Sequence, residues 1–420
     1  MKTNSKILIF MLCLIGWVAQ GQQNISGIIT DQETKQALPF SSIAVPNSST
    51  GTMTNANGKF ELQLKEDQNQ IQISYVGYID TLITIDPEIS FYEIEVQPYT
   101  FSLTEIIVTS LTPLEYIQKA LEKHPSMIPD QPFESQAFFA SKRSLKNDDN
   151  NSYDLDQSVF KTYFSDYSND TLDEASQLIL YNNIREGEFE SILEKNKRMQ
   201  SAIGTEEKKD TFELKSENEK VSIKINDITG AGPYGALKEA KSITQLDFFD
   251  AEYFKKFQYN FGEQTFYQGR ELIKINFSNK RKVGSAFYNG SVYLDYKDLA
   301  IVAIDYNVRA KIPFHINLLL KAFVGFTIDE LKRDVKIRNQ YLGKWYPKEL
   351  VFDLDITIKQ KKELETISIA QVLNMESIEI DSPKVIEEEK IFSEDLEYEE
   401  QIFSIPGIEW EDVNVIKIDD

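Results

Sequence analysis

The chain has 420 residues, with 67 acids against 45 bases for a net charge of −22, two histidines, one cysteine and 12% aromatics. Its length suits two or three globular domains of roughly 100–200 residues, each large enough for its own core. An acidity of this size argues against attachment to nucleic acid or anionic lipid, since like charges repel, and leaves proteins, neutral ligands or cations as partners.

Residues 1–21 read as a secretory signal. Lys2 and Lys6 precede an apolar run from Ile7 to Val18 that is too short for a comfortable membrane span, and Ala19-Gln20-Gly21 supplies the small residues that a signal peptidase inspects. Cleavage is expected after Gly21, with Ala19 the alternative. The one cysteine, Cys13, lies inside the apolar run, so the exported chain would hold no disulfide, thiol nucleophile or cysteine zinc site. Export to the periplasm or the outer membrane is expected, with no transmembrane span after cleavage; the oligomeric state stays open.

From Asn24 to about Val108 the pattern is period-two alternation: Phe60, Leu62 and Leu64, then Ile71, Ile73 and Tyr75, then Tyr92, Ile94 and Val96. Asn/Gly turns separate the runs, which predicts a β-sandwich over 22–110. Four motifs in order carry a resemblance: Ile25-Ser26-Gly27 through Asp31, Ala37-Leu38-Pro39-Phe40, Gly51 through Phe60, and Ile73-Ser74-Tyr75-Val76-Gly77-Tyr78. They resemble the carboxypeptidase-regulatory-like domain, a transthyretin-like sandwich found at the N-terminus of many Bacteroidota envelope proteins, TonB-dependent receptors included. Leu103 to Ser110 resembles the lead into a receptor plug, but the roughly 310 residues that follow lack the strand array of a receptor barrel.

Zinc-peptidase chemistry is not implied. A metallocarboxypeptidase needs His-x-x-Glu and a distant second His, whereas Met127 stands three positions after His124 and Leu318 three after His315. The expected metal and cofactor sets are therefore empty, and no catalytic residue is assigned. Gly230-Ala231-Gly232-Pro233-Tyr234-Gly235 satisfies G-x-G-x-x-G literally. Pro233, however, removes a donor from the would-be phosphate cradle, and the setting is antiparallel strands, so a Gly/Pro loop is the better reading.

A helix is expected from Pro113 to about Lys123, stopped by Pro125, within a helical linker over 111–132. Its end would welcome His124 as a cation. The next domain, 133–380, has a charged insertion near 186–220 read as a solvated helix or a mobile segment. Later strands alternate clearly: Phe257, Tyr259 and Phe261; Ile273, Ile275 and Phe277; Val302, Ile304, Tyr306 and Val308; Phe352, Leu354, Ile356 and Ile358. Polar partners such as Asp295, Asp305 and Asp353 predict a sheet with one dry and one wet face, with hairpin turns at Gly269-Arg270, Asn289-Gly290 and Gly343-Lys344. Leu-rich Phe314 to Phe323 is expected to cover the sheet as an amphipathic helix.

The fold class is thus mainly β: a transthyretin/Ig-like sandwich, a short helical linker, and a large curved antiparallel sheet, a half-barrel, with covering helices. Tyr267 to Phe277, Gly290 to Asp295 and Gly343-Lys344-Trp345-Tyr346-Pro347 resemble three strand segments of a set of Bacteroidota envelope proteins, whose remainder resembles the half-barrel of the lipoprotein carriers. Alternation makes Val302, Ile304, Tyr306, Phe352, Leu354 and Ile356 the candidate lining of an apolar interior, and the resemblance implies that such an interior could hold acyl chains. The last 45 residues hold 16 acids and 3 bases, and they include an acidic tail over 381–420 that Ile402-Phe403 and Trp410 would dock at a few points. The expected function is non-enzymatic binding or scaffolding in the envelope, with an apolar ligand or a partner protein held in the sheet. The alternatives are a structural protein with a filled core, or a metal-independent hydrolase.

Overall fold

The computed structural model describes residues 23–46, 48, 51–65, 67–99, 111–146, 148, 151–167, 174–187, 191, 211–215, 220–224, 233–323, 325–393, 396, 398–410, 413–416 and 418. The signal sequence, the segment from Leu103 to Ser110, the first half of the Gly/Pro motif and most of the charged insertion lie outside these residues.

The first seven strands are β1 (Gln23–Asp31), β2 (Ser42–Ala44), β3 (Gly51–Met53), β4 (Lys59–Leu64), β5 (Gln70–Ser74), β6 (Thr81–Thr84) and β7 (Phe91–Val96). They form two sheets, ordered β4-β1-β7 and β3-β2-β5-β6. Alternation turns Ile25, Ile29, Phe60, Leu62, Ile71, Ile73, Ile94 and Val96 into one shared core between the sheets. Polar motif residues fix the turns. Asp31 Oδ1 accepts the amides of Glu33 (2.7 Å) and Thr34 (2.6 Å), and its other oxygen accepts the Tyr78 hydroxyl at 2.5 Å, tying the first motif to the fourth. Asn55 Oδ1 likewise accepts the amides of Asn57 and Lys59, and Gly58 between them adopts a φ of +73° that a side chain would strain.

Helix α1 (Pro113–Met127) begins with a capping box, Thr112 with Glu115, and Pro113 at its first turn. It does not stop at Pro125. So close to the C-terminus the proline forfeits one backbone bond, while Ser126 Oγ donates to Lys123 O (2.7 Å) and the Ile128 amide closes on His124 O. His124 is buried, and burial pushes its pKa down to about 4, so it is neutral rather than the cation expected at a helix end.

The remaining elements are β8 (Phe133–Leu145), β9 (Tyr153–Phe164), β10 (Glu174–Glu186), the hairpin β11 (Thr211–Lys215) and β12 (Lys220–Lys224), and helix α2 (Pro233–Lys241). After short 3₁₀ turns come β13 (Phe257–Phe261), β14 (Thr265–Tyr267), β15 (Arg270–Asn279), β16 (Ala286–Asp295), β17 (Ile301–Ala310), α3 (Phe314–Phe323), β18 (Thr327–Tyr341), β19 (Trp345–Gln360) and β20 (Glu363–Glu379). Eleven strands make one open antiparallel sheet, ordered β10-β9-β8-β20-β19-β18-β17-β16-β15-β13 with β14 beside β15. Pro233 and Gly235 of the glycine motif lie in the first turn of α2.

One face of this sheet is covered by Ile117 and Ala120 of α1, Leu237 of α2, Leu320 of α3, and Phe248 and Phe249 from the 3₁₀ turns. The opposite face is not the wet face that alternation suggests. Met53 of the sandwich and Val413 and Ile416 of the C-terminal segment pack on Phe138, Val159, Ile179, Val351 and Val372 there. Charged residues that alternation would send to that face are also tied up, Asp295 with Arg270 (2.7 Å) and Asp305 with Arg338 (2.6 Å).

Asn289-Gly290 is not a turn but the middle of β16. A Cβ on Gly290 would stand 2.2 Å from Asp305 O and 2.8 Å from Tyr306 Cα, so the glycine permits close approach of β17 rather than a bend. Gly269 and Gly343 do lie in turns, before β15 and β19.

Candidate functional site

Ile304, Tyr306, Phe352, Leu354 and Ile356 share the helix-covered core and are 0–7% exposed. Over this part of the sheet Phe248 stacks on Phe277 with centroids 4.1 Å apart and meets Tyr306 edge-on at 5.4 Å. Val302 does not join them. The β16–β17 register runs Tyr293 to Ala303 and then Leu294 to Ile301, so Val302 is the extra residue of a bulge. It points into a separate cluster with Tyr267, Leu272, Tyr293 and Trp345.

This core contains a polar knot. Tyr306 donates its hydroxyl to Glu239 Oε1 at 2.8 Å, Arg333 pairs with the other carboxylate oxygen, and the Arg333 guanidinium lies 4.4 Å from the Phe352 ring centre. Burial, then the Glu239 charge, push the Tyr306 phenol well above its ordinary value. A phenol so held is a donor to Glu239 rather than a base. The knot anchors α2 to β17 and β18.

Sequence reasoning missed a second locus, where the sandwich meets the opposite face of the sheet. The Gly77 amide donates to Phe266 O at 2.9 Å, and the Gln63 amide to Asn414 Oδ1 at 2.9 Å, so sandwich, sheet and C-terminal segment meet here. Between β2, β5 and the ends of β18–β20 is a cleft of about 650 Å³, lined by Ser42, Gln72, Asp80, Gln340, Lys348 and Glu376 among others. Gln136 Nε2 donates to Glu376 Oε2 at 3.0 Å, and Gln72 Nε2 to Asp80 Oδ2 at 3.2 Å. The second oxygens, Glu376 Oε1 and Asp80 Oδ1, are buried too, with the Asn414 amide beside the first carboxylate and Ser74 and the Gln268 and Gly269 amides beside the second. Burial raises the Glu376 carboxyl to about 7 and raises Asp80 and the nearby Glu349, while it lowers the Lys348 ammonium.

These groups escape sequence reading for a definite reason. Lys348 is skipped where Arg338 pairs with Glu349 and Asn339 with Pro347; Glu376 is skipped where Met375 pairs with Ala137 and Ser377 with Gln136. Each is a bulge residue, and period-two counting cannot assign its face.

His124 is buried in α1 and His315 is exposed on α3. Among the described residues, no three His, Cys, Asp or Glu side chains converge as metal ligands, and no helix is long and apolar enough to cross a membrane.

Residues 25–108 match the family model of the CarboxypepD_reg-like domain. Over 104 residues the chain is 24% identical to TonB-dependent receptor P3 of Formosa agariphila, a stretch that covers 25% of this chain and 10% of the receptor. Among solved structures, a DUF1329 family protein from Desulfovibrio piger superposes with a TM-score of 0.26 at 11% identity, covering 66% of this chain and 96% of that one. Lipovitellin superposes with a TM-score of 0.25 at 7% identity, covering 62% and 26%. Both superpositions are loose. The sequence match, the paired sheets and the Asp31–Tyr78 tie between motifs agree on the N-terminal unit: the chain carries a CarboxypepD_reg-like domain ahead of its eleven-stranded sheet.

Proposed function

We propose that the protein is an exported, non-enzymatic binding or scaffolding protein of the cell envelope, and that its ligand or partner enters the cleft between sandwich and sheet. The carrying observation is the cleft of about 650 Å³ itself, into which the bulge residues Lys348 and Glu376 and the sandwich residues Gln72 and Asp80 turn polar side chains. A few convergent polar groups in a concave site fix the orientation of a ligand bringing O–H or N–H groups. The envelope setting is supported by the sandwich's similarity to part of a TonB-dependent receptor. The apolar face of the sheet serves as core in this reading, because its aromatic and aliphatic residues are already packed against the chain's own helices.

Native mass spectrometry of protein purified from the envelope without detergent tests this. The expected spectrum shows no acyl species. A retained acyl chain that disappears in Ile304→Asp would instead place the ligand on the apolar face and overturn the cleft reading.

A further inference from the structure

At one end of the large sheet, the stretch from β15 to β20 departs from the acidity of the whole. The turn between β15 and β16, the α3 connection between β17 and β18, and the turn between β19 and β20 all lie at this end, because the strands are antiparallel neighbours. Residues 280–294, 306–328 and 359–362 together hold nine bases and not one acid, in a chain whose net charge is −22. Lys280, Arg281 and Lys282 stand exposed in the first turn, and Lys359, Lys361 and Lys362 in the last. At roughly 4.8 Å per strand, the six strands from β15 to β20 spread these charges across about 24 Å. Acids border this stretch: Glu330 is taken up by Arg309 (3.4 Å) and Lys332 (3.1 Å), Asp329 and Glu363 are exposed, and beyond β20 and β15 the same end carries Asp148 in the turn after β8 and Asp250 and Glu252 ahead of β13.

In the middle of this basic end stands α3. Leu320 is buried, Ile316 and Leu319 pack against the main core, and Asn317 exchanges two hydrogen bonds with the Ile328 backbone, so one side of the helix is fixed to β18. Phe314 and Leu318, one turn apart, point away from that side and are 82% and 56% exposed. Phe314 is the most exposed large apolar side chain among the described residues. Lys311 and Lys321 flank the pair and are themselves exposed.

We propose that this end of the sheet docks on an anionic lipid bilayer surface, with Phe314 and Leu318 of α3 inserted at the headgroup boundary and the lysines and arginines around them against the lipid phosphates. An aromatic and an aliphatic side chain on one helix stripe, ringed by bases, is the chemistry of an interfacial helix, and each base adjacent to an anionic surface adds roughly fivefold to the partition. Acids elsewhere on the molecule that lie more than a Debye length, about 8 Å at physiological salt, from the docked surface are largely screened from it, so the charge of the patch facing the surface decides. The proposal goes beyond the cleft reading and does not depend on it.

Flotation with vesicles tests it, using the chain from Gln22 onward so that the apolar run from Ile7 to Val18 does not itself partition. Phosphatidylglycerol/phosphatidylethanolamine vesicles should carry the protein at least tenfold more strongly than phosphatidylcholine vesicles, and salt should weaken the binding. Phe314→Ser with Leu318→Ser, and separately Lys359→Glu with Lys361→Glu and Lys362→Glu, should each reduce it at least tenfold with the melting temperature unchanged. Equal binding to the two vesicle types, or variants that float like the wild type, would overturn the proposal. So would a dimer in lipid-free sedimentation that Phe314→Ser with Leu318→Ser dissociates, since the occupant would then be a second copy.

Discussion

Lys348 and Glu376 are the extra residues of two β-bulges on neighbouring strands, β19 and β20, and both line the cleft beneath the sandwich. A bulge releases one residue from the ladder and re-aims its side chain. Here it turns a base and an acid into the same buried space, where burial disfavours the charged form of each.

A pH dependence follows from Glu376. Its carboxyl holds a proton up to about pH 7 in the folded chain, against an ordinary value of 4.5. The folded state therefore binds more protons between these values, and the contribution of this group to stability declines as pH rises through them, by at most about 1.4 kcal/mol per unit. Glu376→Gln removes the decline. Urea unfolding at pH 5, 6, 7 and 8 should show the variant gaining on the wild type as pH rises, by about 1–3 kcal/mol at pH 8. A constant difference across the series would contradict this assignment.

Neighbouring residues of β17 give a second prediction. Ile304 is fully buried in the helix-covered core, so Ile304→Asp meets a desolvation penalty of several kcal/mol and should unfold the domain. Asp305 points the other way, where simple alternation would make its loss cheap. In the structure it pairs with buried Arg338 at 2.6 Å and accepts from Tyr293 at 3.1 Å. Asp305→Ala leaves that buried guanidinium with the Ile337 and Ile304 carbonyls but no counter-charge, and should cost toward the lower end of about 3–5 kcal/mol. Denaturant titration of both variants decides the matter; a loss for Asp305→Ala below about 1 kcal/mol would mean that Arg338 finds other partners.

Much of this fold is legible in the residues. Phe60, Leu62 and Leu64, like Ile71 and Ile73, are buried because a flat strand alternates faces strictly, and Phe314 to Phe323 forms the helix its leucines suggest. What resisted reading has physical causes. The bulge at Val302 shifts the parity of its strand, and the bulges at Lys348 and Glu376 hide the charged groups of the cleft. The polar face of the sheet looked wet because a charged residue paired through the fold, such as Arg338, is indistinguishable in sequence from one facing water. Pro125 looked like a stop because the capping bonds beyond it depend on the turn that follows.

Gly290 tests the close packing of β16 on β17. Its missing Cβ leaves room for Asp305 O and Tyr306 Cα, both backbone atoms that cannot rotate aside. Gly290→Ala should therefore cost about 1–3 kcal/mol, although alanine normally stabilises relative to glycine through the unfolded chain. A melting temperature that rises in this variant would show that the two strands separate readily.

The C-terminal segment gives the last prediction. Its Phe392 amide donates to Ser176 O at 2.7 Å and its Phe403 amide to Leu178 O at 2.9 Å, which occupies part of the free edge of β10. Beyond these bonds Val413 and Ile416 cover Ile179 and Val351 on the face of the sheet. An uncovered strand edge beside an apolar patch is a template for intermolecular pairing. Deleting residues 382–420 should therefore destabilise the sheet and yield soluble aggregates visible by light scattering. The deletion also removes many acids, and lower net charge alone can promote association. A variant with Phe403, Val413 and Ile416 each changed to Ser keeps every charge and separates the two causes. If docking is what protects the edge, this variant aggregates as the truncation does; if it stays monomeric with an unchanged melting temperature, the segment acts through its charge and the docking account fails.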